Sequence, residues 1–186
     1  MGGKGILGRK EKETMKEKYG IQQPAVGINA TKVANNTEAW GEIILLLKSL
    51  GYNLYFISND PFGDKLIGEM LGSKYGITPI LEFIDYPKYA ALLANFDFVI
   101  SCRLHTNELA LTAATPIIPI EGSRFKTTEV FALVQYPIPV TNALTPGWWL
   151  EIKKHIQTLH ERDGKVDDFF NNLGNIRDLS LRNRMV

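Results

Sequence analysis

An arginine and a histidine stand two residues apart at the end of an apolar run, Asp97-Phe98-Val99-Ile100-Ser101-Cys102-Arg103-Leu104-His105. The apolar residues read as a buried strand, and open α/β sheets keep their ligands outside the carboxyl ends of such strands. Ser101 is placed to cap a following helix. That sets Arg103 and His105 in or near its first turn, where unpaired N–H groups and the helix dipole attract an anion. A guanidinium there grips carboxylate or phosphate bidentately. A histidine beside a bound anion has its cationic form favoured, which suits a general acid. The plainer alternative makes both residues part of a solvated loop, with His105 only capping or packing the turn.

Other strand ends contribute polar groups to the same edge. Asn29 and Thr31 follow one apolar run, Ser58, Asn59 and Asp60 a second, and Glu121, Ser123, Arg124, Lys126 and Thr127 a third. The set is polar, with cations near acids, and fits a phosphorylated or carboxylated small molecule. Gly122 would let the backbone approach a ligand closely. Arg124 and Lys126 are two residues apart and so point in different directions on a helix; physics alone does not choose between them.

Several other chemistries are excluded or disfavoured. Gly2-Gly3-Lys4-Gly5 follows no strand and Gly27 stands alone inside one, so a dinucleotide fingerprint is missing. His155 and His160 are off the spacing of a zinc-binding helical pair. Asp167 and Asp168 read as first-turn acids of a helix. Cys102 has no evident base partner and reads as a small buried residue rather than a nucleophile. No metal site or cofactor is expected.

The elements that must carry these residues alternate. Strands are expected over 24–30, 53–57, 78–83, 97–101, 117–120 and 138–141, and helices over 37–50, 64–75, 86–96, 106–114 and 126–134. Apolar rather than alternating strands separated by helices predict a doubly wound, Rossmann-like parallel sheet of about six strands, covered on both faces. Residues 1–20 form a mixed-charge segment or linker with a solvated helix over 10–19 and little to bury, residues 21–145 the α/β domain. Residues 146–186 supply helices over 148–161, 166–173 and 176–182, the last two as one or two helices. Their packing on the domain or on a partner chain would account for Trp148 and Trp149.

The chain has 186 residues, 45% hydrophobic and 22% charged, with a formal charge of +1. That is enough for one full-sized domain, and too neutral for bulk nucleic-acid binding. A single cysteine excludes an internal disulfide and a cysteine-built zinc site. Reducing cytosol fits best. No signal-peptide core and no apolar run of membrane-spanning length is present, so a cytoplasmic protein is expected.

The run V-I-S-C-R-L-H-T-N-E-L-A, followed by Thr115-Pro116-Ile117-Ile118-Pro119-Ile120 and Lys126, resembles the C-terminal half of the polysaccharide pyruvyl transferase family. The earlier A-V-G-I-N-A and the helix before the motif fit too, so the likeness extends over about 24–142. The resemblance implies one half of a GT-B-like fold, in which two Rossmann-like domains face each other across a cleft. It implies transfer of a pyruvyl group from phosphoenolpyruvate to a sugar acceptor in polysaccharide biosynthesis. By the same likeness Arg103 and His105 address the donor, with His105 the acid that protonates its methylene carbon, and Lys126 is preferred over Arg124 as the downstream cation. The expected site is then His105 and Arg103 as catalytic residues, and Ser101, Leu104, Lys126, Arg124, Glu121, Asn29, Ser58 and Asn59 as substrate-binding ones.

The family's chains are normally about twice as long. The facing half is therefore expected on a separate chain, in a homodimer, or on a longer protein from which this domain is excised. Two alternatives compete with pyruvyl transfer. One is a non-catalytic binding domain for a nucleotide, nucleotide sugar or phospho-metabolite. The other is half of a GT-B glycosyltransferase, with Glu121 holding a ribose.

Overall fold

The computed structural model describes residues 8–34, 36–122, 125–162 and 164–182. The expected alternation is present as helix α1 (Arg9–Tyr19), strand β1 (Ala25–Asn29), helix α2 (Thr37–Ser49), strand β2 (Asn53–Ile57) and helix α3 (Pro61–Tyr75). Then follow β3 (Thr78–Ile80), α4 (Tyr86–Leu93), β4 (Phe98–Ser101), α5 (Leu104–Thr112), β5 (Ile117–Glu121), α6 (Lys126–Leu133), β6 (Thr141–Asn142), α7 (Trp148–Glu161) and α8 (Lys165–Arg182). The sheet is six-stranded, in the order β3-β2-β1-β4-β5-β6, and every pairing is parallel. It is a doubly wound, Rossmann-like α/β fold, as the strand composition predicts.

Strands β1, β4 and β5 are buried along their whole length because helices cover both faces. One layer holds α2 against α3 and α7, and the other runs α1, α4, α5, α6. Gly27 lies where β1 is most tightly covered, since a Cβ there would stand 2.9 Å from Ile57 Cδ1 and 3.1 Å from Phe96. The lone glycine in this strand is a packing residue.

Helix starts follow the turn chemistry. The Asn36 side chain accepts from the amides of Glu38 and Ala39 at the head of α2. Asp60 and Asp85 cap α3 and α4, each with proline in the first turn. Trp40, fully buried, donates its indole N–H to the Ala34 carbonyl at 2.6 Å and meets Trp148 edge to face at 5.5 Å. Trp148 is thus an intramolecular anchor for α7. Phe169 and Phe170 of α8 pack on Tyr136, whose hydroxyl accepts from the Ile117 amide at 2.7 Å and donates to its carbonyl.

Several boundaries differ from the sequence reading. Strand β3 ends at Ile80 rather than at 83, being an edge strand with β2 as its one neighbour. The sixth strand is Thr141–Asn142 and not 138–141, because prolines at 137 and 139 have no N–H to give a ladder. Helix α5 starts at Leu104, earlier than the expected 106. Residues 166–182 lie in one uninterrupted helix. The charged helix α1 buries Met15 and packs on α4. Among the described residues no helix is long and apolar enough to cross a membrane.

Candidate ligand site at the carboxyl edge of the sheet

Strands β1 and β4 are neighbours, and their following helices α2 and α5 lie in opposite layers. Their carboxyl ends therefore form a topological switch point, the place where open α/β sheets bind ligands. Asn29 and Ser101 are register partners at these two strand ends. Both are fully buried.

Ser101 does not cap α5 as expected. Its Oγ accepts from the Arg103 amide at 3.1 Å and lies 3.3 Å from the Arg103 carbonyl, so it closes the turn before the helix. Arg103 itself is the N-cap residue and offers no side-chain cap, because its side chain is a donor. No side chain caps the first turn of α5. That distinguishes α5 from α2, α3 and α4, and from α6, whose first-turn amides of Thr127 and Thr128 bond the Glu121 carboxylate at 2.8 and 3.0 Å.

The Arg103 side chain is held from one side. Nε–H donates to Asp64 Oδ2 at 3.1 Å and Nη2 to Asp64 Oδ1 at 2.5 Å, while Nη2 also stands 2.9 Å from Asp60 Oδ2. These contacts, Asp64 first, hold the guanidinium above its ordinary pKa. Nη1 has no partner among the described residues and the side chain is 37% exposed. Asp64, only 1% exposed, also accepts from Ser58 Oγ at 2.8 Å and from Asn29 Nδ2 at 3.3 Å. The second Asn29 bond goes to the Ile57 carbonyl at 2.9 Å.

Four of the expected residues, Asn29, Ser58, Ser101 and Arg103, thus meet in one network. Its centre is Asp64, which the sequence reading passed over. The signal available was Asp60-Pro61, a cap-and-proline start that puts Asp64 one turn into α3, on a side chain slanting back toward the helix start.

The remaining expected residues are placed as follows. His105 is exposed in the first turn of α5, its ring 6.3 Å from that of Tyr86. Leu104 is half-buried beside it. Asn59 accepts from the Ile84 amide at 2.8 Å and so fixes the loop before α4. Glu121 is buried with both carboxylate oxygens on α6, including a contact from Thr128 Oγ1. Lys126 is exposed at the head of α6, outside the Arg103 network. Arg124 lies outside the described residues. The Cys102 thiol is pushed up to about 12 by burial, which suits packing and not nucleophilic attack.

Among the described residues no cluster of His, Cys, Asp and Glu has the makings of a metal site. His155 lies 3.8 Å from Glu151 and His160 bonds Tyr52, so the two histidines do not act together. A cavity of about 760 Å³ opens at the opposite, amino edge between Tyr52, Asp97, His160 and Phe170. The convergent polar network lies at the switch point instead.

No protein-family model and no curated protein matches this sequence. Solved structures do match in fold. WaaG, a glycosyltransferase involved in lipopolysaccharide biosynthesis, superposes with a TM-score of 0.63 at 13% identity, over 92% of this chain and 48% of its own. ADP-heptose lipopolysaccharide heptosyltransferase II of E. coli gives 0.61 at 13% identity, over 84% and 53%. UDP-GlcNAc 2-epimerase of Neisseria meningitidis, bound to UDP-GlcNAc, gives 0.59 at 18%, over 92% and 48%. The fold matches one Rossmann-like half of the GT-B architecture. The chain spans about half the length of these structures. The likeness reaches GT-B glycosyltransferases and not the pyruvyl transferase family in particular.

Proposed function

We propose that this domain is the donor-binding half of a GT-B-type glycosyltransferase, taking the phosphates of a nucleotide sugar at the head of α5. The observation that carries the reading is that α5 starts at the switch point without a side-chain cap, with the cation Arg103 as its N-cap residue. Backbone amides and a fixed guanidinium stabilise the charge that grows on a leaving phosphate as the glycosidic C–O bond breaks. His105, in the same turn, donates a hydrogen bond to that phosphate when protonated. Glu121 meets a ribose only through lone pairs left over from capping α6.

The second reading, phosphoenolpyruvate as donor, is favoured by Ser101-Cys102-Arg103-Leu104-His105. There His105 protonates the methylene carbon, one acceptor hydroxyl adds to the cationic centre that results and gives up its proton, and a second hydroxyl closes the ketal as inorganic phosphate leaves. The facing half, on a longer chain, a separate one or a second copy, supplies the acceptor site. Calorimetric titration with UDP- and ADP-sugars and with phosphoenolpyruvate separates the readings. Heat from a nucleotide sugar that Arg103→Ala abolishes is expected. Heat from phosphoenolpyruvate alone would transfer the assignment to pyruvyl transfer, and none from any of them would refute both.

A further inference from the structure

Arg103 is compensated twice over, by two carboxylates around one guanidinium, and the two are not equivalent. Asp64 is buried, sits side-on against Nε and Nη2, and is pinned by Ser58 and Asn29. Asp60 is 44% exposed and touches Arg103 through Oδ2 only, at 2.9 Å. Its other oxygen, Oδ1, accepts from the Gly63 amide at 2.9 Å as the cap of α3. Releasing Oδ2 from Arg103 therefore leaves that cap intact.

The geometry points to Asp60 as an exchangeable counter-ion that holds the place of an anionic ligand on Arg103, and to Asp64 as the positioning residue that keeps the guanidinium aimed while the exchange occurs. This rests on the reading of the α5 head as an anion site. Without ligand the trio carries one excess negative charge, so an arriving oxyanion is opposed until it takes the outer Nη2 hydrogen from Asp60. A ligand that also reaches Nη1 and the first-turn α5 amides gains bonds that Asp60 does not make. A ligand that touches Arg103 alone merely replaces one carboxylate contact. The pair thus selects for anions large enough to span both groups.

Gly63 makes the closed pair sterically possible. A Cβ on it would stand 2.9 Å from Arg103 Nη2 and fall onto the Asp60 carboxylate. The space between cap and guanidinium is filled by the ion pair itself.

Inorganic pyrophosphate is the probe, titrated calorimetrically into the full chain. Asp60→Asn and Asp60→Ser both retain an N-cap side chain, so α3 keeps its start while the charge opposing the ligand goes. Either variant is expected to bind pyrophosphate roughly tenfold more tightly than the unaltered protein, the worth of one nearby charge at a half-exposed site. Asp64→Asn removes the same charge but loosens the guanidinium, and is expected to show none of the gain. The Asp60→Asn/Arg103→Ala double variant is expected to lose the gain. In carboxylate ¹³C spectra the Asp60 resonance moves on adding pyrophosphate and that of Asp64 stays.

Equal binding by the unaltered protein and both Asp60 variants would overturn the exchange while leaving the anion site standing. A gain that survives Arg103→Ala would overturn it as well, since the effect would then be general charge. Absence of pyrophosphate binding in every variant would remove the anion site and the exchange together.

Discussion

Replacing Asp64 by alanine is expected to cost the fold about 3 kcal/mol, mostly through the buried groups it leaves behind rather than through the ion pair. The Ser58 hydroxyl, fully buried, still accepts from the Asp60 amide but loses the acceptor for its own hydrogen. A buried donor without a partner costs about 1–3 kcal/mol. Asn29 keeps its bond to the Ile57 carbonyl and loses only the longer contact at 3.3 Å, roughly 0.5 kcal/mol. Arg103 is more than a third exposed and keeps Asp60, so solvent screening holds its loss to about 1 kcal/mol. Urea unfolding of the unaltered protein, Asp64→Ala, Arg103→Ala and the double variant reads both terms, with the m-value checked for constancy. The double variant should be less destabilised than the sum of the singles by about 1 kcal/mol. A cost for Asp64→Ala below about 0.5 kcal/mol would mean that water replaces the carboxylate and that the network is not what holds Arg103. Strict additivity would mean that the two side chains do not interact.

Two further outcomes follow from partly buried titratable groups. The Cys102 thiol, raised to about 12 by burial, should react with iodoacetamide at pH 8 roughly a thousandfold more slowly than free cysteine and regain the ordinary rate in urea; rapid native labelling would refute its packing. His155 is held below its ordinary value, chiefly by burial, with Glu151 opposing and Lys154 reinforcing that shift. Because its folded pKa is depressed, the unfolded chain takes up the proton first. Its contribution is therefore full above about 6.5 and lost as pH falls through the folded value. Unfolding free energy measured from pH 7 to 5 should fall less steeply in His155→Gln, and parallel curves would contradict the assignment.

Local rules made most of the fold readable. Apolar runs such as Phe98 to Ile100 need both faces covered, and the helices expected from 37 and 86 start there, whereas the one expected from 64 starts at Pro61 on the Asp60 cap. What local rules miss is settled by neighbours. Residues at 81–83 have apolar character but no second strand to pair with, and the prolines at 137 and 139 make an apolar run that forms no ladder. Met15 is a lone apolar residue among charges, and only the proximity of α4 gives it a core to join. Asp64 lies between Gly63 and Lys65, where a carboxylate reads as an acid complementing the dipole; its partners come from β1, the end of β2 and the turn after β4. No window of sequence contains them together.

The contrast between Glu121 and Arg103 is what singles out the switch point, rather than any polar strand end, as the proposed place for a ligand. Both residues end or follow a central strand and precede a helix. Glu121 turns its carboxylate onto the amides of α6, which neutralises that helix start from within the chain. At α5 the corresponding position is filled by a cation, whose charge is answered from α3 while no side chain caps the helix. An uncapped helix start next to a cation offers donors that an acceptor from outside can take up. An oxyanion is the chemistry that satisfies the amides, Nη1 and the helix dipole at once.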